Sequence, residues 1–368
     1  MLANLDEGLI RLALKRNLLL REVAERLLAE VERSEVSAAH LLETRAHLDP
    51  AVIDELLETQ RRQSIPVRFD GYRIAGLLGR GGTAVVLRGE RESDGLAVAI
   101  KLISPRVESQ PTAAARFQRE TRSAVKVEHP HVVRCFGAGT VNGRPYLVLE
   151  LMDGGDVRAL LRNARGPLPE RRALSIALHC CRGLGEIARQ GMMHRDLKPA
   201  NIFLDRFGNA KIADLGLAKS RDLADQLTLV GMCVGTPIYM SPEQVAGRPD
   251  VDIRTDIYAL GATLYHMATG VMPFGGPTPE AIMRDVALVE PKAATVVNPR
   301  LNPAIEAVIV KAMAKDRRRR YQTPEQFATD LEAILAGRQP AATAVILAED
   351  GHAAPLRRAW WRRWLRLG

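Results

Sequence analysis

HRDLKPANIFL, residues 194–204, places an Asp and an Asn five positions apart, with a Lys between them and a His-Arg pair in front. Asp196, Lys198 and Asn201 are costly to crowd together unless a charged ligand joins them, because charged groups taken out of water lose solvation. A nucleotide with its metal is such a ligand. It makes demands on the rest of the chain: a segment able to approach phosphates closely, a held cation and a further carboxylate.

Each of these parts can be found. In GRGGTAVV, residues 79–86, Gly79, Gly81 and Gly82 allow backbone amides to reach phosphate oxygens where no Cβ intervenes. In GLAVAIKLI, Lys101 ends an alternating apolar strand and needs a partner, which Glu120 on a following helix supplies. Lys101 would hold the α- and β-phosphates, and Glu120 would fix its position. In KIADLGLA, Asp214 follows a short apolar strand and precedes a Gly, a place from which it can bind magnesium. Asn201 would take a second metal, Asp196 would orient an acceptor hydroxyl and accept its proton, and Lys198 would stabilise a transferring phosphoryl group. Phosphoryl transfer asks for positioning and charge neutralisation rather than covalent chemistry.

The wider chain bounds this reading. Its 368 residues suffice for two to three domains, and 46% hydrophobic with 26% charged residues describes a globular protein. No run of eighteen apolar residues predicts a transmembrane helix, and MLANLDEGLI lacks the basic start of a secretory signal. Cys135, Cys180, Cys181 and Cys233 have no metal-ligand spacing and fit a reducing cytoplasm. The net charge is +9, but PLRRAWWRRWLRLG at the end carries five Arg and no acid, leaving 9 − 5 = +4 for the rest. The basicity is largely a tail property, and no nucleic-acid partner is expected.

Three regions follow. Residues 1–63 read as an all-helical module: Leu19, Val23, Leu27 and Val31 recur every four positions, and Asp49-Pro50 opens a helix through Leu56 and Leu57. Residues 70–337 begin with β-branched, Gly-punctuated strands from Tyr72, pass a helix in PTAAARFQRETRSAVKV, and become helical from about Asp156, with short strands near Ile202 and Ile212. Residues 338–368 read as a flexible linker and a basic Trp/Arg-rich tail. No internal repeat is evident.

HRDLKPAN, with GRGGTAVV, VAIK, DLG and SPE in this order, resembles the protein kinase family, and specifically the bacterial eukaryotic-like (Hanks-type) serine/threonine kinases. The resemblance covers roughly residues 70–337. It implies an α+β, two-lobe protein kinase fold, a small β-rich lobe before a large helical one, and a protein kinase that uses ATP and Mg2+ on Ser/Thr hydroxyls of protein substrates. It implies that Gly79, Arg80, Gly81, Gly82, Val86, Ala99 and Lys101 surround the nucleotide. Leu149 would be the residue beside the adenine, with Glu150 and Met152 offering it backbone hydrogen bonds and Asp156 near the ribose. Glu243 would pair with Arg320, Asp256 would hold the backbone of the catalytic loop, and His194 and Arg195 would belong to the same scaffold. Arg317 to Arg319 read as a solvated helix end. Lys198, with GTP at Gly235, Thr236 and Pro237, resembles serine/threonine rather than tyrosine kinases. The pattern departs at Ala84, Leu215 and Ser241, none of which removes a catalytic group. A nucleotide-binding pseudokinase scaffold acting through its helical module is the competing reading.

Arg195 directly before Asp196 resembles kinases whose activation loop is ordered by phosphorylation, which would pair a phosphate with Arg195. Among Ser220, Thr228, Thr236 and Ser241, Thr228 is the expected autophosphorylation site. Residues 1–63 are expected to self-associate, bind a partner or pack on the small lobe. In residues 355–368, Leu356, Trp360, Trp364 and Leu367 share one helical face among five Arg, which suits an anionic membrane surface or docking on the protein itself. The expected location is cytoplasmic, with peripheral contact at the inner membrane surface through this tail.

Overall fold

The computed structural model describes residues 2–33, 37–63, 68–81, 84–103, 125, 127–215 and 237–344. Glu120, Gly82, Thr228, Cys233, Thr236, residues 111–124 and 126 of the helix expected at 111–127, and the tail at 355–368 lie outside these residues. The chain divides into two units, residues 1–111 with 138–147, and residues 112–137 with 148–368.

The first unit opens with four helices, α1 (Leu2–Lys15), α2 (Arg21–Arg33), α3 (Ala38–Thr44) and α4 (Pro50–Gln63). Ser37 caps α3 by accepting from the His40 amide, and Asp49 accepts from the Ala51 amide at 2.7 Å where Pro50 starts α4. Their apolar faces close on a core of their own that includes Leu9, Ala13, Leu27, Leu42 and Leu56. Leu19 is buried but stands before α2, in the turn that follows Asn17 at φ 58°. A repeat emerges that the sequence reading did not find. Buried Leu9, Ala13, Ala24 and Leu27 are each matched 29 residues later by buried Ala38, Leu42, Ile53 and Leu56. Both hairpins also turn through a non-glycine residue at positive φ, Asn17 and His47. Leu12, Leu19, Val23, Leu27 and Leu28 also recur as Leu41, Leu48, Val52, Leu56 and Leu57 at the same spacing, so the module is two similarly laid out helical hairpins.

The sheet has the order β1-β2-β3-β4-β6-β5. Its strands are β1 (Arg68–Phe69), β2 (Tyr72–Arg80), β3 (Ala84–Arg91), β4 (Ala97–Ile103), β5 (Cys135–Val141) and β6 (Arg144–Glu150). β1 to β4 form an antiparallel meander. Asn142-Gly143, both at positive φ, makes the tight turn between β5 and β6. Phe69 meets Tyr146 edge to face at 4.9 Å, and the Arg144 guanidinium donates to the Ile103 carbonyl.

The second unit holds α5 (Val157–Ala164), α6 (Glu170–Arg189), the two-stranded ribbon β7 (Ile202–Leu204) and β8 (Ala210–Ile212), then α7 (Pro242–Val245) and α8 (Arg254–Thr269). After them come α9 (Pro279–Leu288), α10 (Ala294–Val297), α11 (Pro303–Ala312) and α12 (Pro324–Leu335). α8 is buried along nearly its whole length. A Cβ on Gly261 would stand 2.7 Å from that of Ala312, so α8 and α11 touch where a side chain is missing. The chain after α12 is pinned. Asp330 accepts from the amides of Ala341 and Ala342 at 2.7 and 3.0 Å and from the Tyr321 hydroxyl at 2.8 Å.

Candidate active site

The loop of residues 194–201 is anchored from below by one carboxylate. Asp256, in the first turn of α8 and fully buried, accepts from the His194 amide on Oδ2 and the Arg195 amide on Oδ1, both at 2.7 Å. Burial pushes this carboxyl upward, while His194 and the two amides pull it down. His194 is fully buried and bridges three segments. Its Nε2 stands 2.7 Å from the Ala213 carbonyl, and its Nδ1 accepts from the Asp196 amide at 3.2 Å. Both ring nitrogens are thus engaged, one as donor and one as acceptor.

Above this anchor the charged side chains meet. Lys198 Nζ lies 2.9 Å from Asp196 Oδ2, and Asn201 Nδ2 donates to the Asp196 carbonyl at 2.8 Å and to Oδ2 at 3.3 Å. Pro199–Asn201 form a 3-10 turn that swings Asn201 back onto Asp196. The Ala213 amide donates to the Asn201 carbonyl at 2.9 Å, which sets Asp214 beside this turn. Asp205 organises the β7–β8 connection behind it, accepting from the amides of Phe207 and Asn209 and the Asn209 side chain. With its amide nitrogen engaged, Asn201 has its oxygen left for a metal, and Asp214 offers a carboxylate; this oxygen set suits a hard divalent cation. Arg195 and Asp214 have φ of 63° and 59°, a left-handed conformation that costs a non-glycine residue about 1 kcal/mol or more.

A groove beside this loop is lined by Asp196, Leu197 and Lys198 on one side and by Tyr239, Met240 and Gln244 on the other. Tyr239 is tethered by its hydroxyl to His266 Nδ1 at 2.8 Å. Ser241 caps α7 in a capping box with Gln244. Beneath it, Glu243 and Arg320 form a buried bidentate pair at 2.7 and 2.8 Å. Arg320 directs its remaining N–H groups to the carbonyls of Ala314, Arg254 and Lys315. Burial alone would push Glu243 up, but Arg320, with Thr255 donating at 2.9 Å, holds it below the usual carboxylate range. Arg317 departs from the expected solvated helix end. It lies in a 3-10 turn and binds the carbonyl and carboxylate of Asp250.

The other expected site residues fall as follows. Glu150 donates its N–H to the Arg134 carbonyl at 2.8 Å, and its carboxylate accepts from the Arg134 amide at 3.2 Å and from Lys211 at 2.5 Å. What Glu150 can offer a base is therefore its carbonyl oxygen. Leu149 and Met152 are half-buried or nearly so on either side of it. Asp156 is the N-cap of α5, its Oδ1 accepting from the Ala159 amide at 2.6 Å. In the first unit, Gly79 lies at a register shift in β2 opposite Val86, and Val86 in turn pairs with Lys101 across β3 and β4. Ala99 is buried two residues before Lys101, Arg80 ends β2, and the Gly81 amide donates to the Ala84 carbonyl at 2.9 Å. Gln244 escaped the sequence reading, although S-x-x-Q at 241–244 carries the capping-box pattern.

A strand unit with a glycine turn and a lysine on the neighbouring strand, and a helical unit with two carboxylates, a lysine and an asparagine around one loop, are together the parts of a phosphotransferase of the kinase class. The chain belongs to the protein kinase family, whose domain matches residues 72–331. It is similar to a probable serine/threonine-protein kinase of Streptomyces coelicolor, SCO3848, with 36% identity over 78% of this chain and 44% of that one. It is also similar to the serine/threonine-protein kinase Pkn1 of Myxococcus xanthus, with 37% identity over 74% of this chain and 39% of that one. These relatives place it among the bacterial eukaryotic-like protein kinases. The chain spans less than half the length of either. Among solved structures, the kinase domain of PknI from Mycobacterium tuberculosis matches with a TM-score of 0.60 and 26% identity over 73% of this chain and 99% of that one. The family uses ATP and a divalent metal ion. No helix among the described residues is long and apolar enough to cross a membrane.

Proposed function

We propose that this chain is an ATP- and magnesium-dependent serine/threonine protein kinase. The observation that carries the proposal is the Asp196–Lys198–Asn201 cluster, held over the Asp256 anchor and beside a groove lined by Tyr239, Met240 and Gln244. Asp196 orients the acceptor hydroxyl and takes its proton, and Lys198 stabilises the transferring phosphoryl group. Asp214 and the Asn201 side-chain oxygen would hold magnesium, which would supply charge neutralisation at the phosphates. Lys101 positions the phosphates, with Glu120 as its partner. Gly79, Arg80, Gly81 and Gly82 cover them, Val86 and Ala99 pack on the base, and Glu150 and Met152 hydrogen-bond it through their backbones.

Regulation belongs to the same proposal: Thr228 is autophosphorylated and pairs with Arg195. Residues 1–63 mediate self-association or partner binding, and residues 355–368 bring the chain to an anionic membrane surface from the cytoplasm. The test is phosphate transfer from labelled ATP with magnesium, by the full chain and by Asp196→Ala, to itself and to a basic Ser-containing protein. Label on Ser or Thr in the first and none in the second supports the proposal. ATP binding without label in either turns the protein into a nucleotide-binding scaffold.

A further inference from the structure

Gln244 is wired to the catalytic loop as well as to its own helix. Its Oε1 accepts from the Ser241 amide at 3.0 Å, completing the capping box of α7. Its Nε2 donates to the Arg195 carbonyl at 2.9 Å, across 49 residues of sequence. The two contacts fix the amide's orientation, because an N–H faces one end and a carbonyl the other.

The second contact lies at a sensitive place. Arg195 stands at φ 63°, and its carbonyl shares a peptide unit with the Asp196 amide. That amide is already held by His194 Nδ1 at 3.2 Å, and the Arg195 amide by Asp256 at 2.7 Å. The Gln244 bond closes the remaining side of the peptide plane from which Asp196 departs. A capping box alone does not ask for Gln. Glu serves the Ser241 amide equally well and adds a favourable charge at a helix N-terminus. Only a neutral amide supplies both the acceptor for Ser241 and the donor for Arg195.

We infer that Gln244 is a positioning residue for phosphoryl transfer, clamping the Arg195–Asp196 peptide plane from α7 so that the end of the substrate-facing segment and the catalytic loop hold one geometry. The inference rests on the kinase reading proposed above. It is separable from it because the two roles of Gln244 come apart by substitution. Gln244→Glu keeps the cap and turns the second contact into a carboxylate facing a carbonyl, whereas Gln244→Ala removes both.

The experiment compares the full-length protein with these two variants by hydrogen exchange of residues 195–197, thermal melting, and steady-state kinetics with ATP and a basic Ser-containing protein. For Gln244→Glu the expected result is exchange of the Arg195 and Asp196 amides faster by about tenfold, the scale of one hydrogen bond, kcat lower by about tenfold at unchanged KM for ATP, and a modest fall in melting temperature. Gln244→Ala shows the same loss of kcat together with a lower melting temperature. Gln244→Glu with wild-type exchange and wild-type kcat overturns the inference and leaves Gln244 as a cap only. If the wild-type chain transfers no phosphate, the kinase reading fails on that observation, and the exchange data still decide whether Gln244 clamps the loop.

Discussion

Replacing Arg320 with Met tests how the groove-forming segment is tied to the helical unit. The side chain is fully buried and spends all five N–H groups, two on Glu243 and one each on the carbonyls of Ala314, Arg254 and Lys315. Met fills similar volume and packs equally well over the Tyr258 ring, which the guanidinium covers at 4.9 Å. The loss is therefore electrostatic. Glu243 is left as a buried charge with its own backbone amide and Thr255 as partners, and breaking a buried pair in this way costs about 3–5 kcal/mol. For a unit of this size each kcal/mol moves the melting temperature by roughly 2–4 °C, so a fall of about 10 °C is expected.

The pH dependence of this fall separates a lost charge partner from lost packing. In the wild type Glu243 lies below its ordinary value of 4.5, so the folded state holds the proton less tightly than the unfolded chain. The stability it contributes is present above about 4.5 and is lost as pH falls through the lower folded value. In Arg320→Met, burial without the guanidinium pushes Glu243 above 4.5, and the folded state binds the proton more tightly. The penalty is then largest near neutral pH and shrinks on acidification. The assay is thermal unfolding of both proteins from pH 8 to pH 5. A difference in melting temperature of about 10 °C at pH 8 that narrows by pH 5 is the expected result. A difference that is constant with pH, or under 2 °C throughout, would refute the reasoning, since neither a packing defect nor a solvated pair depends on Glu243 in this way.

Asp256→Asn keeps one acceptor and turns an NH2 group toward the His194 or Arg195 amide. Stability should fall by about 3 kcal/mol, with loss of phosphate transfer, read by melting and by the label assay. His179, held down to about 4 by burial and by neighbouring His131, Arg182 and Arg172 against Asp205, accepts from the Ala210 amide at 3.1 Å. Its folded value lies below its ordinary 6.5, so stability should fall as pH drops from about 6.5 toward 4. His179→Phe, which keeps the 4.1 Å stack on His131, should lessen that fall in a melting series across this range. Gly154→Ala would bring a Cβ within 2.5 Å of the Leu204 carbonyl oxygen, where backbone must shift. A loss of about 1–3 kcal/mol in chemical unfolding is expected.

The parts of the site that carry charge were legible because charge has to be compensated. Asp196, Lys198 and Asn201 announced themselves by their spacing, and the hydrogen bonds among them are what such spacing demands. The helical hairpins of residues 2–63 were legible as helices from apolar periodicity, and their repetition is also written in the sequence, where Leu12, Leu19, Val23, Leu27 and Leu28 recur 29 residues later; it went unread because Ala38 stands where Leu9 does and Ile53 where Ala24 does. Asp156 was expected near a ribose. Its role as N-cap of α5 follows from the Ala159 amide three residues on, a local rule that the resemblance displaced. Glu150 was expected to offer backbone hydrogen bonds, and pairing to Arg134 removed its donor, a tertiary fact that no local pattern records.

The left-handed turns at Arg195 and Asp214 belong to a different class. At Arg195 propensity argues against that conformation, and the surrounding bonds impose it, from the Asp256 carboxylate and the Gln244 amide, whereas Asp is one of the residue types that tolerate it at Asp214. Groups that act by orienting a peptide plane leave no mark in composition or periodicity. Their trace is an unneeded choice, such as Gln at a capping position where Glu would serve, and that choice acquires meaning only when the partner 49 residues away comes into contact. A site is thus readable from sequence as far as its electrostatics reach, while its geometry is written in pairs of residues whose separation along the chain only folding removes.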